Sequence, residues 1–140
     1  MTIISNYINN ICDILNITTP IISFDVSNFQ THTMMAQCNV SGDTIYLRKV
    51  NLNPDYLFAI AHELRHIWQI RTNKSKFFDH YKPREDCNSA EEYNLQLAEV
   101  DANAFAAIIM TNYFHLQPQW NGLTNKVIKA INARIDYILS

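Results

Sequence analysis

Glycine is nearly absent from this chain. Gly42 and Gly122 are the only two in 140 residues, so sharp turns fall to Asn, Asp, Ser and Pro. Cysteine is sparse as well. Cys12, Cys38 and Cys87 are odd in number and far apart, which excludes a disulfide framework and a CxxC metal pair. They are expected to be buried free thiols in a reducing cytoplasm. An excess of one charge is also missing. The net charge of −2, with no clustered basic face, excludes broad electrostatic attraction to nucleic acid. The longest basic stretch, Arg71 to Lys76, reads as a solvated loop. Long apolar runs are missing too. Ala102 to Met110 is the longest candidate, too short to span a membrane and interrupted by Asn103. The N-terminus has no basic n-region, so export is not expected and the predicted location is cytoplasmic. No repeat, low-complexity tract or linker divides the chain, so residues 1–140 are expected to form one domain.

What is present is an ordinary globular balance, 48% hydrophobic and 17% charged residues, long enough to bury about two thirds of the unfolded surface. Ile3, Ile4, Tyr7, Ile8, Ile11, Ile14 and Leu15 recur at helical spacing and predict an N-terminal helix ending before Thr18. Ile21 to Val26 reads as a strand. Met34 to Val40 and Thr44 to Val50 read as a hairpin around Ser41-Gly42-Asp43. Asn53, Pro54 and Asp55 then start a helix: a cap, a residue suited to the first position, and an acid at the positive end of the dipole. This helix is predicted to run to about Arg71, and Thr72 to Asn88 is expected to be irregular. Ser89-Ala-Glu-Glu92 reads as a capping box opening a second long helix, about Ala90 to Asn112. Thr124 to Leu139 predicts a final amphipathic helix. The class is α+β, with about three strands packed against these helices.

His62-Glu63-Leu64-Arg65-His66 is an HExxH motif. Residues four apart on a helix share one face, so both imidazoles can bind one Zn²⁺. Glu63, between them, is a short-reach base for a water that the metal acidifies. Chance alone would give roughly 0.006 such motifs in a chain of this composition. Context adds weight. Leu57, Ile60, Ala61, Leu64, Ile67 and Trp68 form the core stripe, while Ala59, His62, Glu63, His66 and Ile70 form a separate stripe beside it. Two ordinary exposed histidines on a structural helix are the plainer alternative.

A catalytic zinc usually takes a third protein ligand. Glu99 is the best candidate, because a carboxylate mid-helix in Leu97-Ala-Glu-Val-Asp-Ala-Asn-Ala-Phe is costly unless paired or metal-bound. Asp101, His80 and His115 are the alternatives. Asp101 is turned about 200° from Glu99 and suits an ion pair. Asn103 shares the Glu99 face and can hydrogen-bond a ligand. Ala102 and Ala106 would let the two helices approach closely. Tyr81, Arg84, Tyr93, His80 and His115 are candidate donors to a developing oxyanion. Thr44 to Val50 precedes the motif helix directly. It would add a peptide as an extra strand if it were a sheet edge, and could not if it were interior.

Gly42-Asp-Thr-Ile-Tyr46, Ala59-Ile-Ala-His-Glu-Leu-Arg-His66 and Glu99-Val-Asp-Ala-Asn-Ala-Phe-Ala106 together resemble the ImmA/IrrE family of zinc metallopeptidases, over about residues 20 to 112. The resemblance implies a minimal zincin-like fold, with His62, His66 and Glu99 as zinc ligands and Glu63 as base. It also implies bacterial or phage origin and a protein substrate such as a transcriptional repressor. Arg65 departs from the pattern, standing where Gly is common, and implies altered packing or access near the metal. No helix-turn-helix or sensor segment accompanies the motif helices. Two other functions compete with a peptidase. One is a non-catalytic zinc protein whose ligands staple two helices. The other is a phage-encoded binding protein with a decayed site.

Overall fold

The N-terminal pattern folds as α1 (Ile3–Leu15), capped by the Thr2 side chain, which accepts from Ser5 N–H. Ile8, Ile11, Cys12 and Leu15 face the core. The helix ends at Asn16, whose backbone is left-handed. The structure is a computed structural model and describes residues 2–140.

Three short strands follow: β1 (Ile21–Ser23), β2 (Ala36–Cys38) and β3 (Thr44–Leu47). Their order is β1-β3-β2, with β1 parallel and β2 antiparallel to β3. All three are shorter than the sequence pattern suggested. The β2–β3 hairpin turns through Gly42 at φ +72°, while the Asn39 side chain accepts from Asp43 and Thr44 N–H. Thr44, Ile45 and Leu47 are buried, as befits a central strand. Strand addition within the predicted Thr44–Val50 is therefore ruled out where it forms β3, because β1 and β2 already pair with both sides of that strand. The sequence could not show this, since the parallel β1 partner lies far away in the chain.

Next is α2 (Pro54–Phe78), capped by Asn53, whose Oδ1 accepts from Tyr56 N–H at 2.9 Å. It runs past Arg71, so the basic stretch expected to be a loop is helical, interrupted where Asn73 leaves helical geometry. Arg71 is tied down, its guanidinium donating to Gly42 O and Thr18 O. Ile60, Ala61, Leu64 and Ile67 are fully buried. Each large aliphatic side chain among them contributes about 1.5–3 kcal/mol of burial free energy.

The second long helix predicted from Ala90 to Asn112 is two helices, α3 (Ala90–Asn94) and α4 (Leu97–Phe114). Gln96 breaks them apart. Its backbone is extended, and its side-chain amide pairs with the Lys82 main chain, accepting from Lys82 N–H (2.7 Å) and donating to Lys82 O (2.9 Å). A single 3₁₀ turn, Arg84–Asp86, lies between α2 and α3. Ser89 caps α3 by accepting from Glu92 N–H, and Glu92 reaches back one residue further than in a capping box, to Asn88 N–H.

Helix α4 is the centre of the helical layer. Ala98, Ala102 and Ala106 are fully buried and small, and α4 packs chiefly on α2. Its Val100 and Ala104 pack with Val127 and Ile131 of α5 (Asn125–Leu139). Covered on both sides, α4 has no amphipathic stripe. Among the described residues no helix is long and apolar enough to cross a membrane. The three cysteines are free, two of them buried and Cys38 half-buried.

Candidate metal centre

One face of α2 carries His62, Glu63 and His66 into a cleft of about 770 Å³, which Ala59 and Ile70 also line. The stripe read from the sequence is thus a cleft wall. From the opposite side the first turn of α4 presents Glu99, buried and at the third helical position rather than mid-helix. His62 Nε2 lies 3.3 Å from Glu99 Oε1, and His66 Nε2 lies 3.0 Å from Glu99 Oε2. One donor atom from each of the three falls within 4.8 Å of the others.

The outer nitrogens decide what the inner ones can do. Gln69 Nε2 donates to Ala98 O (3.0 Å) and Asp101 Oδ2 (2.8 Å), both acceptors only, so the amide orientation is fixed. Gln69 Oε1 then faces His66 Nδ1 at 2.9 Å and must accept its proton. Asn103 Oδ1 sits 2.8 Å from His62 Nδ1 in the matching role. With Nδ1 carrying the proton, each Nε2 holds a lone pair aimed at a carboxylate. Two acceptors this close repel unless a proton or a cation lies between them. Without a metal, a proton takes that place at His66. Burial alone would push the His66 imidazole down, but the charge and hydrogen bond of Glu99 hold it up at about 10. Burial would likewise raise Glu99, yet His66 and His62 keep it well below the usual carboxylate range.

A metal fits the same space. Ligands ~2.0–2.1 Å from a tetrahedral Zn²⁺ lie roughly 3.3 Å from one another, near the separation of each imidazole from its own Glu99 oxygen, while the set with one donor atom per residue spans up to 4.8 Å. Two neutral imidazoles and a carboxylate are a donor set that zinc accepts, with a fourth position left for water or substrate.

Glu63 is placed for a different task. Its Oε1 accepts from Cys38 N–H at 3.1 Å, while Oε2 lies 3.8 Å from His62 Nε2 and 4.0 Å from His66 Nε2. One oxygen is anchored and the other faces the ligand cluster. The anchor is main chain, from an edge strand. Asn39 N–H donates to Thr44 O of β3 and Met35 O accepts from Arg48 N–H just past it, so the alternating Cys38 N–H points to the free side of β2. The sheet edge at this site is therefore β2.

Tyr81 and Tyr93 join the centre through Glu99. The Tyr81 hydroxyl is 2.8 Å from Glu99 Oε2 and 3.0 Å from the Tyr93 hydroxyl. Its single proton goes to the carboxylate, the stronger acceptor, and Tyr93 donates to Tyr81. Burial first, then the Glu99 charge, pushes both phenols up, so both remain donors. Arg84 also lines the cleft, but His80 is exposed and outside it, and His115 is the exposed left-handed cap of α4. Neither His80 nor His115 reaches Glu99 or the motif histidines. Arg65 turns away from the metal-facing wall toward Asp101, with Nε 2.7 Å from Oδ2, and so does not narrow access to the centre. Asp101 is not a ligand; it pairs with Arg65 and Arg134.

Gln69 and the Cys38 N–H are the functional groups that the sequence reading missed. A polar amide seven residues past His62, on the same face of the helix, was the available signal for Gln69. No residue type marks a main-chain donor. No protein-family model, curated protein or solved structure matches the chain.

Proposed function

We propose that the chain is a zinc-dependent endopeptidase of minimal zincin-like fold, akin to the ImmA/IrrE family, hydrolysing a protein substrate in the cytoplasm of a bacterium or of a phage's host. A transcriptional repressor is the substrate class the resemblance favours. The observation that carries this reading is the convergence of His62 Nε2, His66 Nε2 and a Glu99 carboxylate oxygen, with a free Glu63 oxygen beside them in an open cleft.

His62, His66 and Glu99 would hold a Zn²⁺, which when bound would supply a Lewis acid to acidify water and polarise a peptide carbonyl. The chain's own residues do the rest. Asn103 and Gln69 keep both Nδ1 atoms protonated and both Nε2 atoms free to ligate. Cys38 N–H fixes Glu63 Oε1, leaving Oε2 to take a proton from the attacking water and return it to the leaving amine. Tyr81 braces Glu99 from the side. Met34, Met35, Ile70 and Phe78 give the cleft apolar walls for substrate side chains.

A second reading has its own support: the three donors bridge α2 and α4, so zinc could serve as a staple without catalysis. The test separates the two at one residue. Glu63→Gln keeps an oxygen for Cys38 N–H and should retain zinc, yet cannot take a proton. Cellular proteins cut on expression of the wild type should stay intact with Glu63→Gln. Equal cleavage by both would reject the peptidase, and zinc without any cleavage would favour the staple.

A further inference from the structure

The two histidines of the centre are not oriented alike. His62 is held from α4 alone, by Asn103. His66 is held by Gln69 of its own helix, and Gln69 in turn by Asp101 and the Ala98 carbonyl of α4. Asp101, with no exposed surface, is gripped from two helices. Arg65 of α2 donates from Nε to Oδ2 (2.7 Å) and from Nη2 to Oδ1 (3.1 Å), and Arg134 of α5 donates from Nε to Oδ1 (2.9 Å). Aromatic faces set both guanidinium planes: Arg65 lies 3.7 Å over Trp68, and Arg134 4.4 Å over Tyr137. An unbroken line of hydrogen bonds thus joins the C-terminal helix to a metal-facing imidazole.

Resting on the metal-centre reading above, we propose that Arg134 is a positioning residue, acting through Asp101 and Gln69 to hold His66 in its ligating tautomer. The chemistry is a matter of which way an amide faces. Turned over, Gln69 would present its NH₂ to His66 Nδ1, and the imidazole proton would move to Nε2, where it blocks the metal. That turn would also set Gln69 Oε1 against the Asp101 carboxylate, acceptor against acceptor. The Ala98 carbonyl and Asp101 both oppose it, and Asp101 adds its share only while its carboxylate is aimed at Gln69. Arg134 takes Oδ1 from the α5 side and so keeps Oδ2 directed at Gln69 Nε2. Docking of α5, more than one helix away, is in this way connected to metal affinity.

The test is a double-mutant cycle on Zn²⁺ affinity, measured by competition with a chromophoric chelator for wild type, Gln69→Leu, Arg134→Met and the double variant. Outer partners of a ligand are worth ~10–100-fold in metal affinity, so Gln69→Leu should fall in that range. Arg134→Met should lose at least threefold, and Arg134→Lys, which keeps a cation for Asp101, should recover most of that. Because Arg134 acts through Gln69, the double variant should bind no more weakly than Gln69→Leu alone. Multiplying losses, or an unaltered Arg134→Met, would overturn the proposal. The ¹⁵N-labelled metal-free protein gives a second readout. The His66 Nδ1–H signal should shift in Arg134→Met while that of His62 stays in place; an unmoved His66 signal would also overturn it. A wild type that takes no Zn²⁺ would defeat the metal-centre reading, yet leave this spectroscopic arm to decide the chain. Val127 and Ile131 anchor α5 in every variant, and equal helical circular dichroism checks that the fold is kept.

Discussion

Replacing Asp101 by Ala removes the acceptor shared by two arginines and a buried amide. Gln69 keeps Ala98 O, and Arg134, at the edge of a cleft beside α5, can turn to water. Arg65 borders the same cleft but is only 7% exposed and has no other hydrogen-bond partner among the described residues, so its guanidinium stays largely desolvated. Breaking a buried pair by deleting one partner costs about 3–5 kcal/mol, because the remaining charge stays desolvated. With an unfolding entropy of ~2.1 cal/mol/K per residue, 140 residues give roughly 0.29 kcal/mol/K. The loss then lowers the melting temperature by about 10–17 °C. Thermal unfolding of the metal-free protein, followed by circular dichroism, measures it directly. Arg65→Met combined with Asp101→Leu removes both buried charges and should restore part of the loss, since apolar replacement of a buried pair is often nearly neutral. A drop below about 3 °C for Asp101→Ala, equivalent to ~1 kcal/mol, would refute the view that this pair is a desolvated centre.

Two further outcomes follow from single residues. Burial would raise the Asp101 carboxyl, but hydrogen bonds and charge from Arg65, with Gln69 and Arg134, hold it below its ordinary value. A folded value below the unfolded one means that this contribution is complete above the unfolded carboxyl pKa of ~3.9 and disappears as pH falls through the folded value. Acid unfolding of Asp101→Asn should therefore be less steep than that of wild type; superimposable curves would contradict this. Gly42→Ala should cost at least ~1–2 kcal/mol, since φ is +72° and a Cβ there would stand 2.9 Å from Ile70 Cγ2. A urea midpoint equal to wild type would show that the turn relaxes freely.

Local signals in the sequence were read well and distant ones poorly. The Asn53 cap, the Ser89 cap, the β2–β3 hairpin and the end of α1 depend on neighbours within a few residues. The break at Gln96 depends on Lys82, fourteen residues earlier, and no helical periodicity reveals it. The central place of β3 depends on its pairing with Ile21–Ser23. In the same way, the His62–His66 spacing made half of the centre legible, and the cost of burying Glu99 pointed to the third donor. Asn103 was legible from its place one turn beyond Glu99. Gln69, Cys38 N–H and the link to Arg134 were not, because their meaning exists only once α2, β2, α4 and α5 are packed together.

His62, His66 and Glu99 are proposed to form one zinc site. Elemental analysis after purification without chelators, then dialysis against a weak chelator, tests it most directly. Wild type should carry about one zinc per chain. His62→Ala and His66→Ala should carry none, and Glu99→Ala should bind at least ~10-fold more weakly, the loss expected even for an outer partner of a ligand. Full zinc retention by Glu99→Ala, or a folded wild type that takes up no zinc, would contradict the account.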